Sequence, residues 1–272
     1  TYGTSVLCQC LIDGNRVKKL IVASSMSIYG EGMYIDLQGR TVNSARRPIE
    51  QLRQGNWEVY GENGYPLEPV GTTEDKPADL TSIYALSKYD QERMCLITGQ
   101  AYDIPVAALR FFNVFGPRQA LSNPYTGVLA IFASRLLNGN PPLIFEDGNQ
   151  KRDFVNVHDV ARACRQVLEN TAAENDVFNI GIGKSYTINE IAFQMADVLN
   201  AGIEPVKTGK YRAGDIRHCF SDISHAEDVL GYRPRISLEE GLKELTEWLK
   251  DQEADDSVEK ANELLQERGL TV

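Results

Sequence analysis

Short apolar runs alternate with longer, helix-prone stretches along almost all of this sequence, and that alternation commits it to an α/β fold in which strands and helices pack in layers. The spacing predicts a helix over residues 4–13 leading to a strand over 20–25, and a long helix over 83–102 leading to a strand over 106–111. There follow a helix over 126–137, a strand over 143–145, a stretch 153–157 running into a helix over 158–169, a strand over 177–180, and helices over 188–199, 224–230 and 238–249. With 272 residues, 42% of them hydrophobic, the chain is long enough to bury a sizeable core in one or two domains.

In an open α/β sheet, ligand contacts gather at the carboxyl ends of the strands. The first strand ends in Ser24 and Ser25, within Lys19-Leu-Ile-Val-Ala-Ser-Ser-Met-Ser-Ile-Tyr-Gly30. Asn113 lies just past the second, in Val106-Ala-Ala-Leu-Arg-Phe-Phe-Asn-Val-Phe-Gly-Pro117. Between them, Ser82-Ile-Tyr-Ala-Leu-Ser-Lys88 sets Tyr84 and Lys88 one helical turn apart. A buried ammonium beside a phenol, whose ordinary pKa is about 10, stabilises the phenolate and makes a general base. Tyr and Lys at this spacing are common on plain helix surfaces, so the pair carries weight only beside the two strand ends.

Taken together, the hydroxyl-ended strand, the Tyr-x-x-x-Lys helix and the Asn-ended strand resemble the extended short-chain dehydrogenase/reductases, in their nucleotide-sugar epimerase and dehydratase branch. The resemblance runs from about residue 4 to 248, with one insertion. It implies a Rossmann-type, doubly wound parallel sheet with a smaller C-terminal α/β substrate-binding domain. The expected division is a Rossmann part over 1–118, interrupted at about 32–77, and a mainly substrate-binding part over 119–250 with segments returning to the sheet. The family opens with a strand, a Gly-x-x-Gly-x-x-Gly turn and a helix that holds the cofactor pyrophosphate. No such pattern is found here, and Gly181-Ile-Gly-Lys-Ser reads as a strand-to-helix turn. Residues 1–13 resemble the helix after the fourth family strand. The expectation is therefore a Rossmann half without its first third, either a piece of a longer protein or a truncated, non-catalytic relative.

The resemblance also implies roles. NAD is the expected cofactor, contacted by Ser24, Tyr84, Lys88 and Phe111, and a UDP- or dTDP-hexose the expected substrate, contacted by Ser25, Asn113, Arg152 and Arg212. Tyr84 as phenolate takes the proton of the sugar 4-hydroxyl, Ser25 hydrogen-bonds the same oxygen, Lys88 holds the nicotinamide ribose, and the net result is inversion at C4. Arginine suits a diphosphate because its planar fork donates two parallel hydrogen bonds. As plain structural residues, Arg152 would pair with Asp153 and Arg217 with Asp215, and His158 and His218 are expected to be structural. Sugar 4,6-dehydratases carry Thr-Asp-Glu where this chain has Ser25, Met26 and Ser27, and a thioether is neither acid nor base. Epimerisation is the favoured reaction, with another oxidoreductase or dehydratase of the branch as the alternative. The string around Ser24 is most similar to a subgroup resembling dTDP-L-rhamnose 4-epimerases.

A net charge of −10 argues against non-specific nucleic-acid binding. Cys8, Cys10, Cys95, Cys164 and Cys219 are scattered without zinc spacing, and no apolar stretch is long enough to span a bilayer, so a reduced, soluble, cytoplasmic protein is expected. The segment 32–77 shows no sustained periodicity and reads as a flap over the substrate pocket or as surface decoration. Its Glu62-Asn-Gly-Tyr-Pro-Leu-Glu-Pro pattern is similar to a metal knuckle, but without thiolates or histidines it offers no metal site. After Asp251 an acidic, solvated helical tail is expected. A homodimer is implied by the resemblance, with Val6, Leu7, Leu11, Met94 and Ile97 as its seam.

Overall fold

Val106 to Leu109 are all fully buried because their strand lies in the middle of a parallel sheet covered on both faces. The computed structural model describes residues 1–14, 16–121, 127–212 and 214–252. In chain order its elements are α1 (Tyr2–Gly14), β1 (Leu20–Ser25), β2 (Met33–Ile35), β3 (Thr41–Val42), α2 (Ile49–Arg53), β4 (Glu68–Val70), α3 (Ile83–Tyr102), β5 (Val106–Phe111), β6 (Asn113–Phe115) and α4 (Val128–Leu137). They continue with β7 (Leu143–Ile144), β8 (Lys151–Arg152), β9 (Phe154–Asn156), α5 (Val157–Glu169), β10 (Asp176–Ile180), β11 (Tyr186–Thr187), α6 (Ile188–Val198), β12 (Val206–Lys207), β13 (His218–Cys219), α7 (Ser224–Leu230) and α8 (Leu238–Leu249).

The main sheet has the order β1-β5-β10, all parallel, with Leu20 opposite Val106 and Asp176 opposite Ala107. Side chains alternate across a strand, so β5 feeds two cores at once. Val106 and Ala108 pack with Cys8 of α1 and Cys95 of α3 on one face. Ala107 and Leu109 pack with Val160, Ala163 and Val167 of α5 and with Ala226 and Leu230 of α7 on the other. The result is a three-layer α/β/α arrangement. A separate core around Phe115, Leu129, Phe132, Met195, Leu242 and Leu245 joins α4, α6 and α8 into a second unit.

Most expected elements fall where the sequence placed them, with β1, α3, β5, α7 and α8 at the expected bounds. Residue 126, the expected start of α4, lies outside the described residues, as does all but the start of the acidic tail. Asn113 does not simply follow β5; it opens β6, which pairs in parallel with β9. The larger correction concerns 32–77. This segment folds into a three-stranded antiparallel sheet, β3-β2-β4, over a small core of Tyr34, Ala45, Val59 and Leu67. It has its own small core and does not line the pocket described below.

The sheet needs α3 to lie close to β5, and Gly99 permits it. A Cβ at Gly99 would meet Val106 Cγ2 at 2.4 Å and the Ile104 carbonyl at 2.6 Å, both in packed, immobile surroundings. Gly99→Ala therefore forces α3 off the sheet, and urea unfolding should show a loss of about 1–3 kcal/mol. An unchanged or raised midpoint, as helix propensity alone dictates, would contradict this packing.

Candidate active site

Three residues spaced by four, Tyr84, Lys88 and Glu92, share one face of α3 and meet the sheet there. Ser82 caps the helix by accepting a hydrogen bond from the Ala85 N–H at 3.1 Å, which fixes where this face begins. Lys88 Nζ donates to the Ala23 carbonyl at 3.0 Å, at the carboxyl end of β1. Its side chain is only half-buried, so the sequestered ammonium expected beside Tyr84 is instead open to solvent on one side. Tyr84 is 57% exposed and forms part of the wall of a cavity.

Glu92 anchors the same face below the site. Arg110, in the middle of β5, donates to it through Nη2 at 2.6 Å and Nε at 3.1 Å, and Ser24 Oγ donates at 2.5 Å. Arg110 also donates to the Tyr29 hydroxyl, which in turn donates to Asn179 Oδ1 at 2.6 Å. Burial pushes the Tyr29 phenol far above its ordinary pKa, so it stays a neutral donor. Ser24, expected beside the cofactor, gives its hydroxyl hydrogen to Glu92 and also lines the cavity described next.

The cavity has a volume of about 320 Å³ and is walled by Ala23, Ser25, Tyr84, Lys88, Phe111 and Asn113, among others. Ser25 Oγ accepts from the Ser27 N–H at 3.2 Å and the Ser27 hydroxyl at 2.9 Å, leaving its own hydrogen to be donated into the cavity. Met26 is buried against Ile28, Tyr29 and Phe112, away from any proton transfer. Asn113 Oδ1 and Gln119 Nε2 are both buried without a hydrogen-bond partner, an acceptor and a donor left at the cavity wall. Gln119 escaped the sequence reading, because a glutamine in a Pro- and Arg-containing loop carries no distinguishing signal.

Arg152 and Arg212 lie away from the walls of this cavity, although Phe154, two residues past Arg152, forms part of it. Arg152 donates to the Arg217 carbonyl at 3.0 Å and to the Ile216 carbonyl, and lies 3.7 Å from Asp215 rather than pairing with Asp153. Asp153 is fully buried and accepts from the Ile182 and Gly183 N–H groups and from Ser221. The Arg212 guanidinium rests 4.6 Å from the Phe145 ring centroid, with Nε buried and unpartnered. Arg217 is fully buried and pairs with Glu146 at 3.0 Å, Asp147 at 2.7 Å and Glu58 at 2.6 Å, not with Asp215. His218 and Arg217 hold the Glu58 carboxyl down to about 2, while burial lowers His218 itself. His158 is exposed and meets Glu244 at 2.7 Å.

A pocket at the carboxyl ends of β1 and β5, faced by Tyr, Lys and Ser, defines a class. The chain belongs to the NAD dependent epimerase/dehydratase family, whose sequence pattern matches residues 2–181. Among individual proteins, dTDP-L-rhamnose 4-epimerase of Burkholderia thailandensis is 36% identical over 91% of this chain and 67% of its own length. UDP-glucose 4-epimerase of Mycolicibacterium smegmatis is 34% identical over 71% of this chain and 59% of its own. Among solved structures, UDP-glucose 4-epimerase of Thermotoga maritima with UDP-glucose has a TM-score of 0.70 at 33% identity, covering 91% of this chain and 68% of that one. UDP-N-acetylglucosamine 4-epimerase of Methanobrevibacter ruminantium has a TM-score of 0.72 at 32% identity, with 92% and 68% covered. The chain thus spans about two thirds or less of the length of these relatives.

Removing Glu92 would strand a buried Arg110 and free the anchored face of α3. Glu92→Ala should cost about 3–5 kcal/mol in denaturant unfolding, the scale of breaking a buried ion pair from one side. A loss below about 1 kcal/mol would show that α3 is held by packing alone.

Proposed function

We propose that this chain carries the catalytic residues and the nucleotide-sugar side of an enzyme that epimerises C4 of a nucleoside-diphosphate hexose through a transient 4-keto sugar. The observation that carries the reading is the convergence of Tyr84, Lys88 and the Ser25 hydroxyl on one cavity. The residues fit the nicotinamide end of NAD. Lys88 spends one of its three N–H bonds on Ala23, which leaves two for a ribose hydroxyl, and Phe111 gives the cavity an apolar wall. When bound, NAD supplies the acceptor and later the donor of the C4 hydride.

The chain's own groups do the rest. Tyr84 takes the proton of the 4-hydroxyl while Ser25 donates to the same oxygen, and Tyr84 returns the proton once the sugar has presented its opposite face. Asn113 and Gln119 offer their unpartnered acceptor and donor to substrate oxygens. Arg152 and Arg212 take the diphosphate. Met26 packs into a hydrophobic cluster and Ser27 is spent on Ser25, so neither serves the acid/base step of a dehydratase. The substrate pairs a hexose with UDP, as in the named Thermotoga and Mycolicibacterium relatives, or a 6-deoxyhexose with dTDP, as in the Burkholderia one.

Tyr84→Phe keeps the ring and removes the proton-transfer group. Conversion of UDP- or dTDP-hexoses in the presence of NAD should fall by about 10²-fold or more, with nucleotide-sugar affinity nearly unchanged. Activity within tenfold of the parent would exclude Tyr84 as the base. The proposed homodimer uses the faces of α1 and α3, where Val6, Leu7 and Ile97 are exposed and Leu11 and Met94 partly buried. Light scattering at micromolar protein should give twice the chain mass; a monomer mass would exclude this seam.

A further inference from the structure

The inserted sheet sends a buried arginine to the segment that carries the expected phosphate grip. Arg47, in the 36–48 stretch between β2 and α2, has a side chain only 3% exposed. Its guanidinium donates to Glu146 at 2.8 Å, to the Trp57 carbonyl at 3.2 Å and to the Asp215 carbonyl at 2.8 Å. The Asp215 N–H donates to the Arg212 carbonyl at 3.2 Å, so Asp215 joins Arg47 to Arg212. The next two carbonyls, of Ile216 and Arg217, accept from Arg152. The N–H groups of Arg217 and His218 are held by the Glu31 carboxylate at 2.7 and 3.2 Å. Trp57 packs against Tyr211, the residue before Arg212, with ring centroids 5.9 Å apart.

We propose that the insertion is a brace for diphosphate recognition and that Arg47 is a positioning residue acting through residues 215–217 on Arg152 and Arg212. A buried arginine that served stability alone needs a carboxylate, and Glu146 provides one. The additional bond to Asp215 lies on a stretch whose next two carbonyls also orient Arg152, which the Lys151 carbonyl holds as well. The planar fork reaches Glu146 through Nη1 and Asp215 through Nη2 in a fixed geometry, which a single ammonium nitrogen does not reproduce. The inference rests on the nucleotide-sugar reading above.

The test is calorimetric binding of UDP against uridine, and dTDP against thymidine, to the parent and to Arg47→Met, which keeps the apolar stem and removes the fork. The brace predicts that nucleoside diphosphate binding weakens at least tenfold while nucleoside binding stays within twofold. It further predicts that Arg47→Met adds less than threefold to the loss already caused by Arg212→Ala, because both act on one grip. Arg47→Lys should restore only part of the affinity. Should Arg47→Met fail to fold, Glu31→Gln loosens the same turn from its N–H side and carries the same expectations. Unchanged diphosphate binding, or equal losses for diphosphate and nucleoside, overturns the brace while leaving the functional reading standing if Arg212→Ala is itself impaired. A parent that binds diphosphate no better than nucleoside, with Arg212→Ala silent, overturns both.

Discussion

The buried pair between Glu92 and Arg110 decides where everything else in the site can be. Arg110 occupies the central strand, Glu92 the helix that crosses it, and their two-pronged contact fixes α3 both along and around its axis. Tyr84 and Lys88 lie two turns and one turn before Glu92 on the same face, so pinning Glu92 delivers Lys88 to the Ala23 carbonyl and Tyr84 to the cavity. An ion pair taken out of water gains little net stability over apolar packing of the same shape. Its use here is geometric: Ser24, Tyr29 and Asn179 complete a network that admits one register of helix on sheet.

A second charged cluster performs the same service around the proposed diphosphate grip. Arg47 from the insertion and Arg217 from the second unit share Glu146, and Arg217 returns to Glu58 of the insertion, so the pairing crosses between the two pieces in both directions. Burial raises the Glu146 pKa above the usual carboxylate range, and the two guanidiniums offset only part of that rise. Because each charge there relies on partners from another segment, the insertion and the 210–218 stretch are fixed relative to each other rather than merely adjacent. The residues proposed for catalysis and for diphosphate recognition are thus each held by a buried network.

What was legible in the sequence follows from range. The strands β1 and β5 and the helix α3 announce themselves through local periodicity, which places Ser25 and Asn113 at strand ends and Tyr84 and Lys88 on one helix face. The insertion did not, because its strands are only two or three residues long, too short to show alternation, and its core draws on residues as far apart as Tyr34 and Leu67. The partners of Arg217 were misassigned for a related reason. Asp215 is near in sequence, but Glu58 and Glu146 are near in space, and nothing local distinguishes them. Arg110 did leave a trace, a lone charge inside an apolar strand that had to find a buried partner.

The central claim, that the Tyr84 cavity oxidises and re-reduces a sugar at C4, is tested most directly by isotope. UDP- or dTDP-hexose carrying deuterium at C4 would be incubated with the protein and NAD in ordinary water, and both epimers examined by mass spectrometry and NMR. Hydride removal and return within the cavity predicts that the product epimer keeps its deuterium at C4. Epimerisation with the label lost to solvent would contradict the account, since the carbon-bound hydrogen would then have left as a proton.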